Sequence, residues 1–586
     1  MITRTETDIL ILGSGGAGLL AAIHAHRTNP DLNITIAVKG LMGKCGCTRM
    51  VQGGYNVALS DADSVERHFM DTIVGGKWIV DQDLAWKLCE TAVERVRELE
   101  NEMGCFFDRE ENGTLHHKAF AGQTADRTVH KGDLTGIEII NRLMEQVLAL
   151  PVNRMEEHRA LALIPSANGK QLAGVLLVDM RTGNFHLVRA KAVLLATGGG
   201  PTMYRYYTPS GEKSMDGLAM VFRLGLPLRD MEMVQFHPTG LLGGKDTRMT
   251  GTVLEEGLRG AGGQLLNGAG ERFTFKYDDR GERATRDIVS RAIYAEMRDG
   301  NTTPNGGVYI SMSHLGVENV RKRFKGMVRR CADCGFDLAG GRVEVVPTAH
   351  YLMGGLVCDT DTKTELKGLF VAGEDAGGVH GANRLGGNGV ANSTVYGGVS
   401  GEEMALFVGD INHYQDIDEE VLEAEIDRAL LPFKIEGDAV DVNELRERLM
   451  DIMWECVGVL RTEDGIKDGI QKIEELRTDL LNSGIGPESR VFNLTWHDWI
   501  NLYNLIEVSR VIAEASLGRD NSRGAHFRED FPEEGLPQDS YFTLVRNRHD
   551  EIEVTREPVN FSIIQPGESL IDGYTQTAPK VRNEAK

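Results

Sequence analysis

The chain has 586 residues, 41% of them hydrophobic and 26% charged, a balance expected of a soluble globular protein too long for one core. Its 64 basic against 87 acidic residues give a formal charge of −23, which argues against binding nucleic acid or an anionic membrane surface. No run of 18 apolar residues occurs, so no direct membrane insertion is expected, and the eight scattered cysteines do not read as a disulfide framework.

Residues 8–12 (DILIL) read as a short buried strand, GSGGAGLLAAIHAH as the helix that follows, and residues 34–38 (ITIAV) as the next parallel strand, together a βαβ unit. The strand comes almost at once, leaving no room for a secretion signal, and a cytoplasmic location with reduced thiols is expected. Gly13, Gly15 and Gly18 form G-x-G-x-x-G between strand and helix. The first glycine suits a tight turn, the second a close approach to pyrophosphate, and the third helix-on-strand packing. With Ser14, Gly16 and Ala17 they would present a helix N-terminus to phosphates. The acid that marks NAD-type ribose recognition is missing after the second strand, where Val38, Lys39 and Gly40 stand.

Further along, residues 83–103 have helical spacing, and residues 160–179 and 185–196 read as strands. KAVLLATGGGP (191–201), with Thr197 and Gly198, and GLFVAGEDAGG (368–378), with Glu374, are strands that run into glycine-rich turns. Such turns, far apart in sequence, suit a long dinucleotide such as FAD threaded through one domain, with Glu374 holding ribityl or ribose hydroxyls. Residues 240–345 are glycine-rich and mixed, with helical stretches near 285–298 and 316–334. From about 402 to about 515 the chain is charged, helical and glycine-poor, and from about 530 it is proline-containing and strand-like.

GAGERF, VQFHPTGL, RATRDIVSRAI, VPTAHYLMGG, HGANRLGGN and SRGAHFREDFP lie within a stretch from about residue 7 to about residue 532. Together they resemble the flavoprotein subunits of succinate dehydrogenase and fumarate reductase, a superfamily shared with L-aspartate oxidase. The resemblance implies an α/β fold: a Rossmann-like FAD-binding domain (1–238 and 347–401), an inserted α+β capping domain (239–346), a C-terminal helical domain (402–530) and a tail (531–586). It implies FAD as cofactor, and adds Lys39, Cys47, Thr48, Gly53, Gly54, Asp216, Asn388, Gly389 and Val390 to the glycine turns that hold it.

By motif position His237, His350 and Arg384 correspond to the family's substrate-binding residues, and a small dicarboxylate needs such fixed donors, arginine gripping a carboxylate in two parallel bonds. Arg286 resembles the family's catalytic arginine, which passes a proton to or from the substrate carbon while flavin N5 passes the hydride. Glu256 and Arg259 match the other relay positions. The competing structural readings are satisfied structural histidines and, for Arg286, an exposed ion pair with Asp287; Arg291 is the other nearby arginine. The implied reaction interconverts a C=C and a C–C bond in a small dicarboxylate. With no cysteine run for an iron–sulfur cluster and no metal site expected, electrons would come from a separate iron–sulfur subunit. Such subunits would also place the chain peripherally at the inner face of a membrane. The alternatives are an L-aspartate-oxidase-like or related amino- or hydroxy-acid oxidoreductase, and a redox-inactive flavin-fold assembly subunit. Retention of His237, Arg286, His350 and Arg384 counts against the last.

Three departures from the family pattern stand out. Glu255 replaces a threonine that contacts a substrate carboxylate in many relatives, and a carboxylate there would repel it unless protonated or turned away. NGVANSTVYG replaces the usual NSLLDLVVFG. In LMGKCGCTRMVQGGYN, Cys47 or Gly46 stands where covalent members carry the flavin-linked histidine. Noncovalent FAD is therefore expected, with small residues packing against it. A thioether to Cys47, and a metal shared by Cys45, Cys47, Cys331 and Cys334, are the other readings.

Overall fold

The computed structural model describes residues 2–575 apart from 245, 246, 248, 410, 436–440, 487, 488 and 550. Its largest sheet has seven strands. Asn153–Glu156, Ile34–Val38, Ile2–Leu12, Phe185–Leu195 and Leu369–Val371 run parallel, while Leu172–Asp179 and His158–Pro165 continue beyond Phe185–Leu195 as an antiparallel pair. The first strand is longer than residues 8–12, because Ile2–Thr7 pair with Phe185–Ala190 before the buried run begins.

Helix Gly16–Thr28 lies against helix Asn388–Gly409 at backbone distance. A Cβ on Gly397 would sit 2.5 Å from the Ala17 carbonyl oxygen, and one on Gly401 2.3 Å from that of Ala21. These glycines let two buried helices touch main chain to main chain, which fixes the first helix beneath the cofactor turn. The second helix begins at Asn388, earlier than the change of composition near 402 suggested.

A second, antiparallel sheet joins Val234–Leu241, Arg342–Leu352, Val308–Ser311 and Gln264–Leu266. With helices Arg286–Arg298, Val317–Arg323 and Lys325–Ala332 it encloses its own core around Leu254, Phe273, Ile293 and Val343. The expected boundaries at 238/239 and 346/347 fall inside the strands Val234–Leu241 and Arg342–Leu352, which run unbroken from one region into the other.

Helices Glu419–Lys434, Val442–Cys456, Glu463–Leu481 and Leu494–Gly518 pack around Trp454, Trp496 and Trp499. The last region is no loose tail: Tyr541–Arg548 and Glu551–Pro558 form a hairpin whose first strand pairs with Leu228–Arg229. Among the described residues no helix is long and apolar enough to cross a membrane.

Candidate active site

One cavity of about 680 Å³ runs from the glycine turns of the large sheet to the face of the second sheet. All the residues expected around the cofactor line it except Gly18 and Asn388. Gly13 has φ +114°, and a Cβ there would sit 2.2 Å from the Ala196 carbonyl oxygen, so this turn admits only glycine. Helix Gly16–Thr28 starts at the wall with no acidic residue in its first turn, leaving its positive end available to a pyrophosphate. These features fit FAD.

Gly18 serves packing instead, since a Cβ would fall 2.0 Å from the Gly13 carbonyl oxygen. Asn388 is turned into the interior. Its Oδ1 meets the Asn56 amide (2.7 Å) and His68 Nε2 (2.9 Å), and its Nδ2 donates to Thr72 Oγ1 (3.1 Å). Glu374 is only partly available to a ligand, because its Oε1 accepts from the Gly200 and Leu352 backbone amides (3.2 and 3.0 Å). Burial pushes its pKa up to about 7. At the far end Lys39 Nζ donates to Asp216 Oδ2 (2.9 Å), and Arg159 Nη2 to Asp216 Oδ1 (2.6 Å). Burial lowers Lys39 to about 8; it also opposes ionisation of Asp216, but Arg159 and Lys39 outweigh it and hold that carboxyl far below its usual range.

Cys45 and Cys47 both line the cavity, and burial pushes the Cys47 thiol up to about 12, so it is not a thiolate nucleophile. Cys331 lies in the core of the second sheet's region and is not on the cavity wall. Among the described residues no cysteine belongs to a group with metal-ligand spacing.

At the other end, the two histidines sit where the strand pairing breaks. Across Val234–Leu241 and Arg342–Leu352, Gln235 pairs with Tyr351 and Phe236 with Ala349, leaving His350 as the extra residue of a bulge. A second irregularity follows His237, at Pro238 and Thr239. Bulges re-aim side chains, and here both rings reach the cavity, their centroids 5.5 Å apart. His237 Nδ1 accepts from the Thr239 amide (3.3 Å), which assigns the ring proton to Nε2. Burial, then the neighbouring arginine charges, holds both rings well below the usual histidine pKa. They are therefore neutral hydrogen-bond donors or acceptors rather than cations.

Arg384 stacks over Tyr351, 4.3 Å from the ring centroid. Its Nε is buried with no partner, and burial lowers its pKa to about 10. Arg384 is nevertheless a wall residue, and a guanidinium there suits a carboxylate ligand.

Arg286 is the first residue of helix Arg286–Arg298. Its Nε and Nη2 donate to Glu256 Oε2 (3.1 and 2.7 Å), and its Nη1 to Gln235 Oε1 (2.9 Å). Arg259 Nη2 reaches the other oxygen of Glu256 (3.3 Å), so Arg286, Glu256 and Arg259 form one continuous chain of contacts. Burial opposes ionisation of Glu256, but the charges of Arg286 and Arg259 outweigh it and lower its pKa. Arg286 and Glu256 line the cavity; Arg259 lies one step behind it. The exposed pair between Arg286 and Asp287 does not form: Asp287 is buried and pairs with Arg291 (3.5 Å).

Glu255 lines the cavity, is almost fully buried, and has Lys118 Nζ 3.6 Å from Oε2. Burial, with Asp133 adding to it, raises its pKa against the opposing pull of Lys118. It is thus neither bare toward the cavity nor turned out to solvent.

Sequence reading passed over two residues. Gln235 ties Arg286 to the Arg384 loop, its Nε2 donating to the Arg384 carbonyl (2.8 Å). It stands two before His237 on one strand, a spacing that signals a shared face. Lys213 lines the cavity beside Thr197, whose carbonyl accepts from its Nζ (3.1 Å), and no local pattern marks it.

Residues 8–390 match the family described as FAD binding domain, and residues 446–576 the family described as fumarate reductase flavoprotein C-term. The chain is 39% identical over 536 residues to one of the subunits of fumarate reductase (CoM/CoB) from Methanothermobacter marburgensis, covering 90% of this chain and 95% of that one. It is 34% identical to the fumarate reductase flavoprotein subunit of Escherichia coli, covering 90% and 88%. A solved structure of E. coli quinol fumarate reductase superposes with a TM-score of 0.90 at 32% identity, covering 97% and 99%. Mycobacterium smegmatis Sdh1 superposes with 0.85 at 33% identity, covering 95% of each chain.

Proposed function

Since the chain belongs to the family of fumarate reductase and succinate dehydrogenase flavoprotein subunits and is an FAD-dependent oxidoreductase of that type, we propose that its site works on fumarate or a close dicarboxylate in the reducing direction, with FAD held noncovalently. The supporting observation is the unbroken chain Arg286–Glu256–Arg259 beside the unpartnered Arg384 Nε, in one cavity with the glycine turns.

FAD, when bound, supplies the hydride. Arg384 holds one substrate carboxylate by paired donors, and His237 and His350, being neutral, add hydrogen bonds without a titrating charge. Arg286 delivers the proton to the substrate carbon and is reprotonated through the Glu256 carboxylate, which takes the replacement proton from Arg259 on its other oxygen. Gln235 fixes the Arg286 guanidinium relative to the Arg384 loop, so proton donor and carboxylate anchor keep one geometry.

Noncovalent FAD is supported by the half-buried Cys47 thiol, held protonated by desolvation where covalent relatives place a histidine. A separate iron–sulfur subunit is supported by the cavity rim, where Met50 and Leu134 are both wall residues and 45% and 53% exposed, an apolar edge suited to a docked electron donor. An amino- or hydroxy-acid substrate is the second reading, favoured only by Glu255 on the wall.

The test is anaerobic turnover of the purified holoprotein with a reduced viologen dye. Oxidation of the dye on adding fumarate, with all flavin released into the supernatant by acid precipitation, is the expected result. Dye oxidation by an imino or keto acid but not by fumarate would overturn the substrate assignment. Flavin fluorescence that stays with a peptide containing Cys47 would overturn the noncovalent one.

A further inference from the structure

Outside the active-site chemistry, strand pairing gathers three metal-binding side chains that are scattered in sequence. His158 pairs directly with Asp179 across two antiparallel strands. His186, on the next strand, pairs with Leu177, two residues before Asp179. Alternation along the strands therefore puts His158, Asp179 and His186 on the same face. One potential ligand atom from each lies within 4.8 Å of the others.

The details favour ligation over a self-satisfied hydrogen-bond cluster. His158 Nδ1 donates to the Glu156 carbonyl (2.8 Å), which leaves Nε2 with a free lone pair, the arrangement seen behind metal-bound histidines. Asp179 is oriented by the Arg181 amide on Oδ1 (2.9 Å) and the Thr182 hydroxyl on Oδ2 (3.0 Å), and Oδ2 keeps a lone pair. The two imidazoles stand edge to face, centroids 5.1 Å apart, and no hydrogen bond joins them. His158 and Asp179 are buried while His186 lies at the rim, which provides an entry path.

We propose that His158, Asp179 and His186 form a binding site for a divalent transition ion of the Zn²⁺ kind, with two imidazole nitrogens, one carboxylate oxygen and water in the fourth position. Zinc bonds of about 2.0–2.2 Å place tetrahedral ligands roughly 3.4 Å apart, so ligand atoms now within 4.8 Å of one another close by at most about 1.4 Å on binding. Arg181, whose Nε meets Asp179 Oδ1 at 3.3 Å, is half exposed and free to swing aside. His158 also lines the cofactor cavity, as do Lys39 and Asp216, and its neighbour Arg159 donates to Asp216 (2.6 Å). An ion here thus braces the wall that holds one end of the dinucleotide.

The experiment is calorimetric titration of chelator-treated holoprotein with ZnCl₂, paired with the visible spectrum of the Co²⁺ form. One ion per chain is expected. His186→Gln and Asp179→Asn should each weaken binding at least about tenfold, with Co²⁺ bands typical of nitrogen and oxygen ligands. His186 is at the rim, so His186→Gln should keep the metal-free melting temperature, and a match there separates ligand loss from misfolding. Zinc should also raise the temperature at which wild-type protein releases FAD, and not do so in His186→Gln. No stoichiometric Zn²⁺ uptake, uptake unchanged in His186→Gln, or a thiolate charge-transfer band from the cysteines would each overturn the site.

Discussion

The two ends of the cavity are made of different material. The cofactor end is largely main chain: glycine turns, a helix N-terminus, and side chains such as Lys39 and Asp216 that neutralise one another. The substrate end is made of side chains, each held by another: Arg286 by Glu256 and Gln235, His237 by the Thr239 amide, Arg384 by stacking on Tyr351. A change at the first end should fail by shape, and a change at the second by chemistry.

The sharpest test of that contrast is Arg286→Gln. Turnover should fall by about two to four orders of magnitude, the usual range for a positioned proton donor, while the FAD content and fumarate Kd stay near wild type. Arg286→Lys should also be poor, because a point charge cannot make the three contacts of the guanidinium. Near-normal steady-state turnover in Arg286→Gln would move the proton donor elsewhere. Gly13→Ala should act in the opposite way, since its Cβ would sit 2.2 Å from the Ala196 carbonyl oxygen on a backbone with φ +114°. Strain of about 3 kcal/mol is about a hundredfold in FAD affinity, read as lost absorbance at the flavin band of the purified protein. A fully yellow Gly13→Ala would break the comparison.

Smaller effects should come from the residue that lies between these extremes. Glu255→Thr removes a carboxylate from the wall and releases Lys118 from its partner 3.6 Å away. Fumarate Kd should improve by up to about tenfold, equivalent to about 1.4 kcal/mol. An unchanged Kd would show that the Lys118–Glu255 pair is already neutral toward a dicarboxylate. A weaker one would show that the pair itself belongs to the binding site.

The smallest expected effect lies at a buried histidine of the cofactor helix. His24, in Gly16–Thr28, contacts Glu402 (2.7 Å) and Glu98 (2.9 Å). Burial lowers its pKa, yet hydrogen bonds to Glu402 and Glu98 outweigh that and leave it raised above 6.5. A raised folded-state pKa means stability fully present below the unfolded value and lost as pH climbs through the folded one. Melting temperature should therefore decline gently above pH 6.5, and His24→Gln should flatten that slope. An identical slope in the variant would assign the pH dependence to another group.

Local pattern made the cofactor turn legible, because G-x-G-x-x-G and its flanking strand and helix occupy one short stretch. Direction was less legible than position. Asn388 sits between Gly387 and Gly389, both on the cavity wall, yet its own side chain points into the core. The expected ends of the second sheet's region, 238/239 and 346/347, fall within two strands that are buried almost throughout, so burial gives no signal where one region stops. Gln235 could have been read from its spacing to His237. The trio His158, Asp179 and His186 could not, since it exists only once three strands have chosen their register.

Those shared strands have a mechanical consequence. Val234–Leu241 and Arg342–Leu352 are the paired connections into the second sheet's region, and their register breaks lie at His350 and just after His237. The irregular points of this two-stranded ribbon therefore lie at His350 and beside His237. The two register breaks thus put the only irregular points of this paired connection at residues of the cavity wall, so the ring spacing and the course of the ribbon are set by the same backbone.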